Sequence, residues 1–182
     1  KSPFKRRVKK LFKDIEKDKN QRLHGYFDWI DEKSLNELFL NDNNFDQHKY
    51  FKKLTKEIPE DTSDLNKMLY YELNTFLVDH NLNYTDKLSM ATGVEVRVPY
   101  LDKELVEFST KIPTNMKMKN NQTKYILKKV AENYLPKKII YRPKTGFGAP
   151  VRKWILNDMD KLISEYLKKD VVVNRQIFKY DK

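Results

Sequence analysis

The chain has no cysteine at all. Within these 182 residues that excludes a disulfide framework, a thiolate zinc site, an iron–sulfur cluster and a cysteine nucleophile. Three scattered histidines, His24, His48 and His80, argue against a His-rich metal site, and no metal ligands are assigned. Four glycines argue against a turn-dense β-sandwich or barrel. No apolar run approaches the roughly 18 residues of a membrane span, so no membrane is expected as a partner. There is no signal peptide, and the chain opens at Lys1 rather than at a methionine, so it reads as a piece of a longer polypeptide. The lack of cysteine suits a reducing cytoplasm, the expected location.

What the chain does have is charge and aromatic area. Charged residues make up 35% and hydrophobic residues only 39%, yet 2 Trp, 11 Tyr and 10 Phe supply enough apolar surface for a core. Wholesale disorder is therefore not expected. The formal net charge of +11 permits nucleic acid, anionic surfaces or phosphate-bearing substrates as partners. It is also what a solvated, Lys-rich surface looks like, and charge speaks to solubility first.

Periodicity points to a mainly α chain. Ser2-Pro3 resembles a helix start, with Phe4, Val8, Leu11, Phe12 and Ile15 on one face. Helices are expected over Arg22 to Ile30, Ser34 to Leu40 and Phe45 to Ile58, with a turn at Asn41 to Asn44. Asp61 to His80 reads as one long helix burying Leu65, Met68, Leu69, Leu73, Phe76 and Leu77, broken at Asn81 to Asn83. One or two helical turns over Asp86 to Thr92 would end at Gly93. The period then changes. Val94, Val96 and Val98 alternate with Glu95 and Arg97, and Pro99 keeps Val98 extended. Further helices are expected over Leu101 to Ile112, Thr123 to Leu135 and Val151 to Leu167. The whole chain, 1–182, is read as a single partial domain whose last residues, 170–182, form a poorly ordered tail.

Three segments could carry chemistry. In Gly93 to Asp102, Glu95 and Arg97 share one face of an extended strand. They could line a cleft, but the favoured reading is an internal salt bridge that orders the Val98-Pro99 turn, with Asp102 capping the next helix. In Asn120 to Lys129, Lys124 sits in or near a first helical turn, off the apolar stripe. A cation there opposes the helix dipole. Its position makes sense if an anion lies between the amine and free backbone N–H groups. The alternative is an ordinary surface lysine. In Tyr141 to Ile155, the spacing of Arg142, Lys144, Gly146 and Gly148 suits an anion-wrapping loop or a lid, or else a plain connector. No pair of carboxylates is spaced for acid–base work, and no GxxxxGK[ST] loop is present.

Together the three segments change the reading. TDKLSMATGVEVRVPYLDKELVEFS, NQTKYILKKVAENYLPKKII and RPKTGFGAPVRKWI follow one another from Thr85 to Ile155. Their order and spacing resemble the C-terminal synthetase region of glutamine-hydrolysing asparagine synthetases, whose pattern is close to DRxSMAxxxExRxPFLDxxLVEF, TKxxLRxAxxxxLPxxI and RPKxGFxxPxxxWL. The resemblance implies the helical C-terminal portion of an adenine-nucleotide α-hydrolase-like (PP-loop ATP pyrophosphatase) α/β domain, with a short extended segment near 94–98. It implies ATP and Mg²⁺ as cofactors, with metal ligands mainly outside this stretch. Its substrates would be aspartate, ATP and glutamine-derived ammonia, the last supplied by a glutaminase domain of the same polypeptide.

By this resemblance Lys124 is the catalytic lysine near the reacting phosphate. Arg97, Lys144, Glu95 and Asp86 are substrate- or nucleotide-binding, and Asp102, Pro99 and Gly146 are structural parts of the motifs. The glutaminase cysteine, the pyrophosphate-binding SGGxDS loop and the acidic GExxDELFxGY stretch are absent, so the piece is expected to be inactive alone. It is also expected to expose an apolar face through which it self-associates, for instance as a homodimer. Lys87 replaces the usual Arg, and Tyr84 stands where many relatives carry Lys. That leaves an amidotransferase or cyclase acting on another carboxylate as the second reading. A basic helical nucleic-acid-binding module is the third, since the motifs explain more residues than charge does.

Overall fold

The computed structural model describes residues 15–41, 46–144 and 149–181. In chain order its α-helices are α1 (Lys19–Gly25), α2 (Glu32–Leu38), α3 (Lys49–Glu57), α4 (Asp64–Asn74), α5 (Asn83–Met90), α6 (Lys103–Lys111) and α7 (Thr114–Lys117). After a hairpin of β1 (Met118–Lys119) and β2 (Gln122–Thr123) come α8 (Tyr125–Ala131), α9 (Lys137–Ile140), α10 (Val151–Asn157), α11 (Asp160–Tyr166) and α12 (Lys169–Arg175). A π-helical stretch, Phe76–Leu82, joins α4 to α5, and a 3-10 turn, Pro99–Leu101, precedes α6. The chain is mainly α, as its periodicity predicts. The helix read over Phe4 to Ile15 and most of the turn at Asn41 to Asn44 lie outside the described residues.

The chain divides into two compact units: Lys1–Tyr50 with Lys144–Lys182, and Phe51–Pro143. In the first unit the helix starts are set by aspartates. Asp18 Oδ1 accepts from Gln21 N at 3.0 Å, and Asp31 Oδ1 accepts from Ser34 N at 2.9 Å and from Ser34 Oγ at 3.0 Å. Each satisfies an N–H that the helix itself leaves unpaired. These caps move both helices N-terminal of their predicted spans. Leu23 and His24 are buried, and His48 Nε2 meets Asp28 Oδ1 at 2.7 Å. The last residues form α12 and then pair with the end of α2 and the residues after it. Leu40 N donates to Ile177 O at 3.0 Å, Lys179 N donates to Leu38 O at 2.8 Å, and the Phe39 and Phe178 rings lie 5.0 Å apart.

The second unit packs α3 against α4 around Tyr71, which is 0% exposed. The Tyr71 hydroxyl lies 2.7 Å from Thr55 Oγ1, which itself donates to Phe51 O at 2.7 Å. The Phe51 ring meets Tyr71 edge-on at 5.5 Å. Leu54 and Lys67 are also buried, and the Lys67 ammonium reaches Glu60 O at 3.4 Å. The predicted apolar stripe on α4 is only half-buried, with Leu69 exposed, and the residues that turn fully inward are Lys67 and Tyr71.

The long helix expected over Asp61 to His80 is interrupted at Thr75, whose backbone sits at φ −130°, ψ −88°. Two side chains compete for the carbonyls there. Asn74 Nδ2 donates to Tyr70 O at 2.9 Å and Thr75 Oγ1 to Tyr71 O at 2.7 Å, and such back-bonding by short polar residues weakens a helix. Conversely, Asn81 to Asn83 do not break the chain, because α5 begins directly at Asn83. Gly93 closes α5 with φ +70°. Its N–H reaches Met90 O and that of Val94 reaches Ser89 O, both at 3.0 Å, the paired bonds of a Schellman ending.

Candidate functional site

The functional candidates sit on short segments that leave these helices. Asp86 lies in the first turn of α5, exposed, and its carbonyl accepts from Ser89 Oγ at 3.0 Å. Residues 94–98 are extended but pair with no strand among the described residues, and Val94, Val96 and Val98 are all exposed. Glu95 and Arg97 form an ion pair with Nη2 to Oε1 at 2.8 Å. Their side chains remain 69% and 83% exposed respectively, so solvent screens the pair and it adds little stability.

Pro99 opens the 3-10 turn. Asp102 follows as the N-cap of α6, with φ −54°, ψ 132° and Oδ1 accepting from Leu105 N at 3.0 Å. Tyr84 presents its ring at right angles to His80 at 5.2 Å, and His80 stacks on Phe76 at 4.6 Å. Both Phe76 and His80 lie on the π-helical stretch, a geometry that recurs at functional sites.

Lys124 is not in the first turn of its helix but one step before it. It is the N-cap residue of α8, exposed and held in the left-handed region at φ 56°, ψ 39°. Its side chain makes no cap bond. The cause is the hairpin that precedes it, where sequence periodicity predicts helix from Thr123. Met118 pairs with Thr123 and Lys119 with Gln122. The two-residue loop between them, Asn120 at φ 50° and Asn121 at φ 61°, is a type I′ turn. The chain must then reverse from β2 into α8 within one residue, and Lys124 absorbs that change. With only seven residues, α8 adds little dipole field of its own to an anion there.

Of the candidates, the structure joins Glu95 to Arg97. Among the described residues no hydrogen bond or ion pair links Asp86, Asp102 or Lys124 to them. Lys144 is exposed and begins the second stretch of the other unit, and Gly146 lies outside the described residues. Among the described residues no three His, Asp or Glu side chains are grouped to hold a metal ion. These residues therefore do not make up a Mg²⁺ site of their own.

A further polar cluster is one that periodicity did not single out. At the end of α8, Glu132 accepts from Lys129 Nζ at 2.9 Å and from the Tyr141 hydroxyl. The Tyr141 bond, then Lys129, holds the Glu132 carboxyl below the usual carboxylate range. The same carboxylate raises Lys129 and Tyr141, the latter also through burial. The only local hint was a Lys and a Glu three residues apart on one helix, since Tyr141 arrives from beyond Pro136. Elsewhere, Lys117 Nζ donates to Asn66 Oδ1 at 2.9 Å, tying α7 to α4, and burial lowers this lysine's pKa.

A mainly helical chain bearing an ordered run of three synthetase-type motifs defines a class, and comparison with known proteins identifies it. The family model described as asparagine synthase matches residues 2–182. The chain belongs to the asparagine synthase family. It is similar to asparagine synthetase [glutamine-hydrolyzing] 1 of Bacillus subtilis, with 40% identity over 106 residues, 58% of this chain and 17% of the relative. It is also similar to asparagine synthetase [glutamine-hydrolyzing] 3 of the same organism, at 38% over 102 residues, 56% of this chain and 16% of the relative. The human asparagine synthetase [glutamine-hydrolyzing] is 30% identical over 116 residues, 62% of this chain and 20% of that protein. The matched stretch thus spans a fifth or less of each of these relatives. No solved structure gives a significant match. No helix among the described residues is long and apolar enough to cross a membrane.

Proposed function

We propose that this chain is the C-terminal helical part of an ATP-dependent, glutamine-using asparagine synthetase of the cytoplasm, inactive without the rest of the polypeptide. The parent enzyme transfers AMP from ATP to the aspartate side-chain carboxylate, releasing pyrophosphate. Ammonia from glutamine then displaces AMP to give the amide. The observation that carries this reading is the family match over residues 2–182. The PP-loop, the metal ligands and the glutaminase belong to the remainder of the polypeptide. That remainder would cover the apolar side chains left exposed here, including Leu88, Met90, Val94, Val96, Val98, and Phe108.

Within this chain Lys124 stabilises the charge that develops on the α-phosphate and pyrophosphate as the P–O bond breaks. An exposed ammonium fixed at a backbone turn is suited to such electrostatic work. Glu95, Arg97 and Asp102 order the wall from which α6 begins. The test is Lys124→Ala in the full-length polypeptide. ATP–pyrophosphate exchange should fall by about 100- to 1000-fold, as for other single transition-state contacts, while glutamine hydrolysis survives. Exchange near the wild-type rate would remove Lys124 from the reaction.

A further inference from the structure

Two elements of the second unit meet at one phenol. The Tyr141 hydroxyl, just beyond α9, donates to Glu132 at the C-cap of α8. Lys128 Nζ stands over the Tyr141 ring, 5.8 Å from its centroid, and Lys129 Nζ closes on the same Glu132 oxygen at 2.9 Å. On the other side of the hairpin, Lys119 Nζ lies 5.2 Å from the Tyr125 ring centroid. Residues 132 and 141 are nine apart, so their bond closes the turn that holds α9. Tyr141 directly precedes Arg142, the basic start of the third motif.

We infer that Glu132 is a positioning residue: its carboxylate, shared by Lys129 and Tyr141, holds the chain just ahead of Arg142 to the helix that begins after Lys124. The physical case is that Lys124 and Arg142, both in this unit, must keep a fixed spacing if both are to meet one polyphosphate. Backbone bonds do not fix that spacing, because α9 and the turn before it are short and exposed. A carboxylate that accepts from a cation and a phenol at once joins three side chains through charge-assisted hydrogen bonds. The role rests on the activity proposed above.

The test uses the full-length polypeptide and two readouts. The first needs no turnover. With ¹³C-labelled tyrosine, the Tyr141 phenol should titrate above the ordinary tyrosine range, and Glu132→Gln should bring it back. An ordinary titration in the wild type would overturn the tether. The second is ATP–pyrophosphate exchange by Glu132→Gln, Tyr141→Phe and the double variant. Each single change should lower kcat by about 10- to 100-fold, the scale of a small misplacement, with KM for ATP changed far less. The double should be no worse than the poorer single, because one cross-link is lost in all three. A normal kcat in both singles, or additive losses in the double, would overturn the positioning role even with the tether present. Should exchange survive Lys124→Ala, Lys124 leaves the reaction and the positioning of its helix loses its purpose, while the titration still reports whether the cross-link exists. Should the wild type show no exchange, the activity reading fails and the titration alone decides the cross-link.

Discussion

Asp102 offers the sharpest separation of a structural from a chemical role. It sits in the most conspicuous motif of the chain, VPYLD, where an acid invites a catalytic assignment. The structure gives it a different task. Its Oδ1 accepts from Leu105 N at 3.0 Å, and its non-helical backbone starts α6. Replacing such a cap with Ala costs about 1 kcal/mol, and the exposure of this site keeps the charge–dipole part at the low end of about 0.3–1 kcal/mol. Asn or Ser keeps an acceptor and should cost only a few tenths. A 1 kcal/mol loss opens the first turn about fivefold more often, so amide exchange at Leu105 should accelerate by about that factor in Asp102→Ala. Asp102→Asn should stay near the wild type. In ATP–pyrophosphate exchange the Asn variant should retain nearly full activity. If Asn and Ala were equally damaging to helix protection, the capping argument would be wrong. If Asn preserved the helix but abolished exchange, Asp102 would belong to the chemistry.

Two further outcomes follow from the packing and charge of the second unit. Tyr71→Phe removes one hydrogen bond to Thr55 but leaves the Thr55 bond to Phe51 O, so it should cost about 1 kcal/mol, whereas Tyr71→Ala should cost about 3–5 kcal/mol in a urea-denaturation midpoint. Equal costs would show that Tyr71 is not the packing centre. The stabilisation that Glu132 contributes should be greatest near neutral pH. It should vanish in acid, as pH falls through the depressed Glu132 value. It should also vanish in alkali, as pH rises through the raised values of Tyr141 and Lys129. The measurement is the midpoint difference between wild type and Glu132→Gln across pH, and a flat difference would refute the shared carboxylate.

Much of the helical plan was legible because local chemistry carries it. Pro59, Pro113 and Pro136 each stand just beyond a helix or its closing turn, and Gly93 adopts the left-handed ending that its type permits. The break at Thr75 was not legible, because apolar periodicity runs straight through it. The interruption comes from Asn74 and Thr75 bonding back to their own helix. The hairpin at 118–123 was missed for a related reason. Ile126, Leu127 and Val130 extend a convincing helical stripe backward, and the Asn120-Asn121 pair was its one local warning. For the candidates, alternation along residues 94–98 put Glu95 and Arg97 on one face, and they form an ion pair. Periodicity could not find Tyr141 on Glu132, since that contact spans a turn and has no periodic trace.

The backbone at Lys124 bears on why a lysine stands there. A left-handed residue costs about 1–2 kcal/mol unless it is Gly, or at lower cost Asn or Asp. The two residues before Gln122 meet the same demand with asparagine, at φ 50° and 61°. Lys124, at φ 56°, does not. Nor does its side chain repay the strain locally, since it caps nothing and does not add to the apolar face of α8. Asparagine or glycine at 124 would keep the turn, relieve the backbone and cost the fold nothing visible. Strain retained where an easier residue would serve is the pattern of a side chain kept for its chemistry. It supports placing the Lys124 amine, rather than the backbone that carries it, at the centre of the proposed reaction.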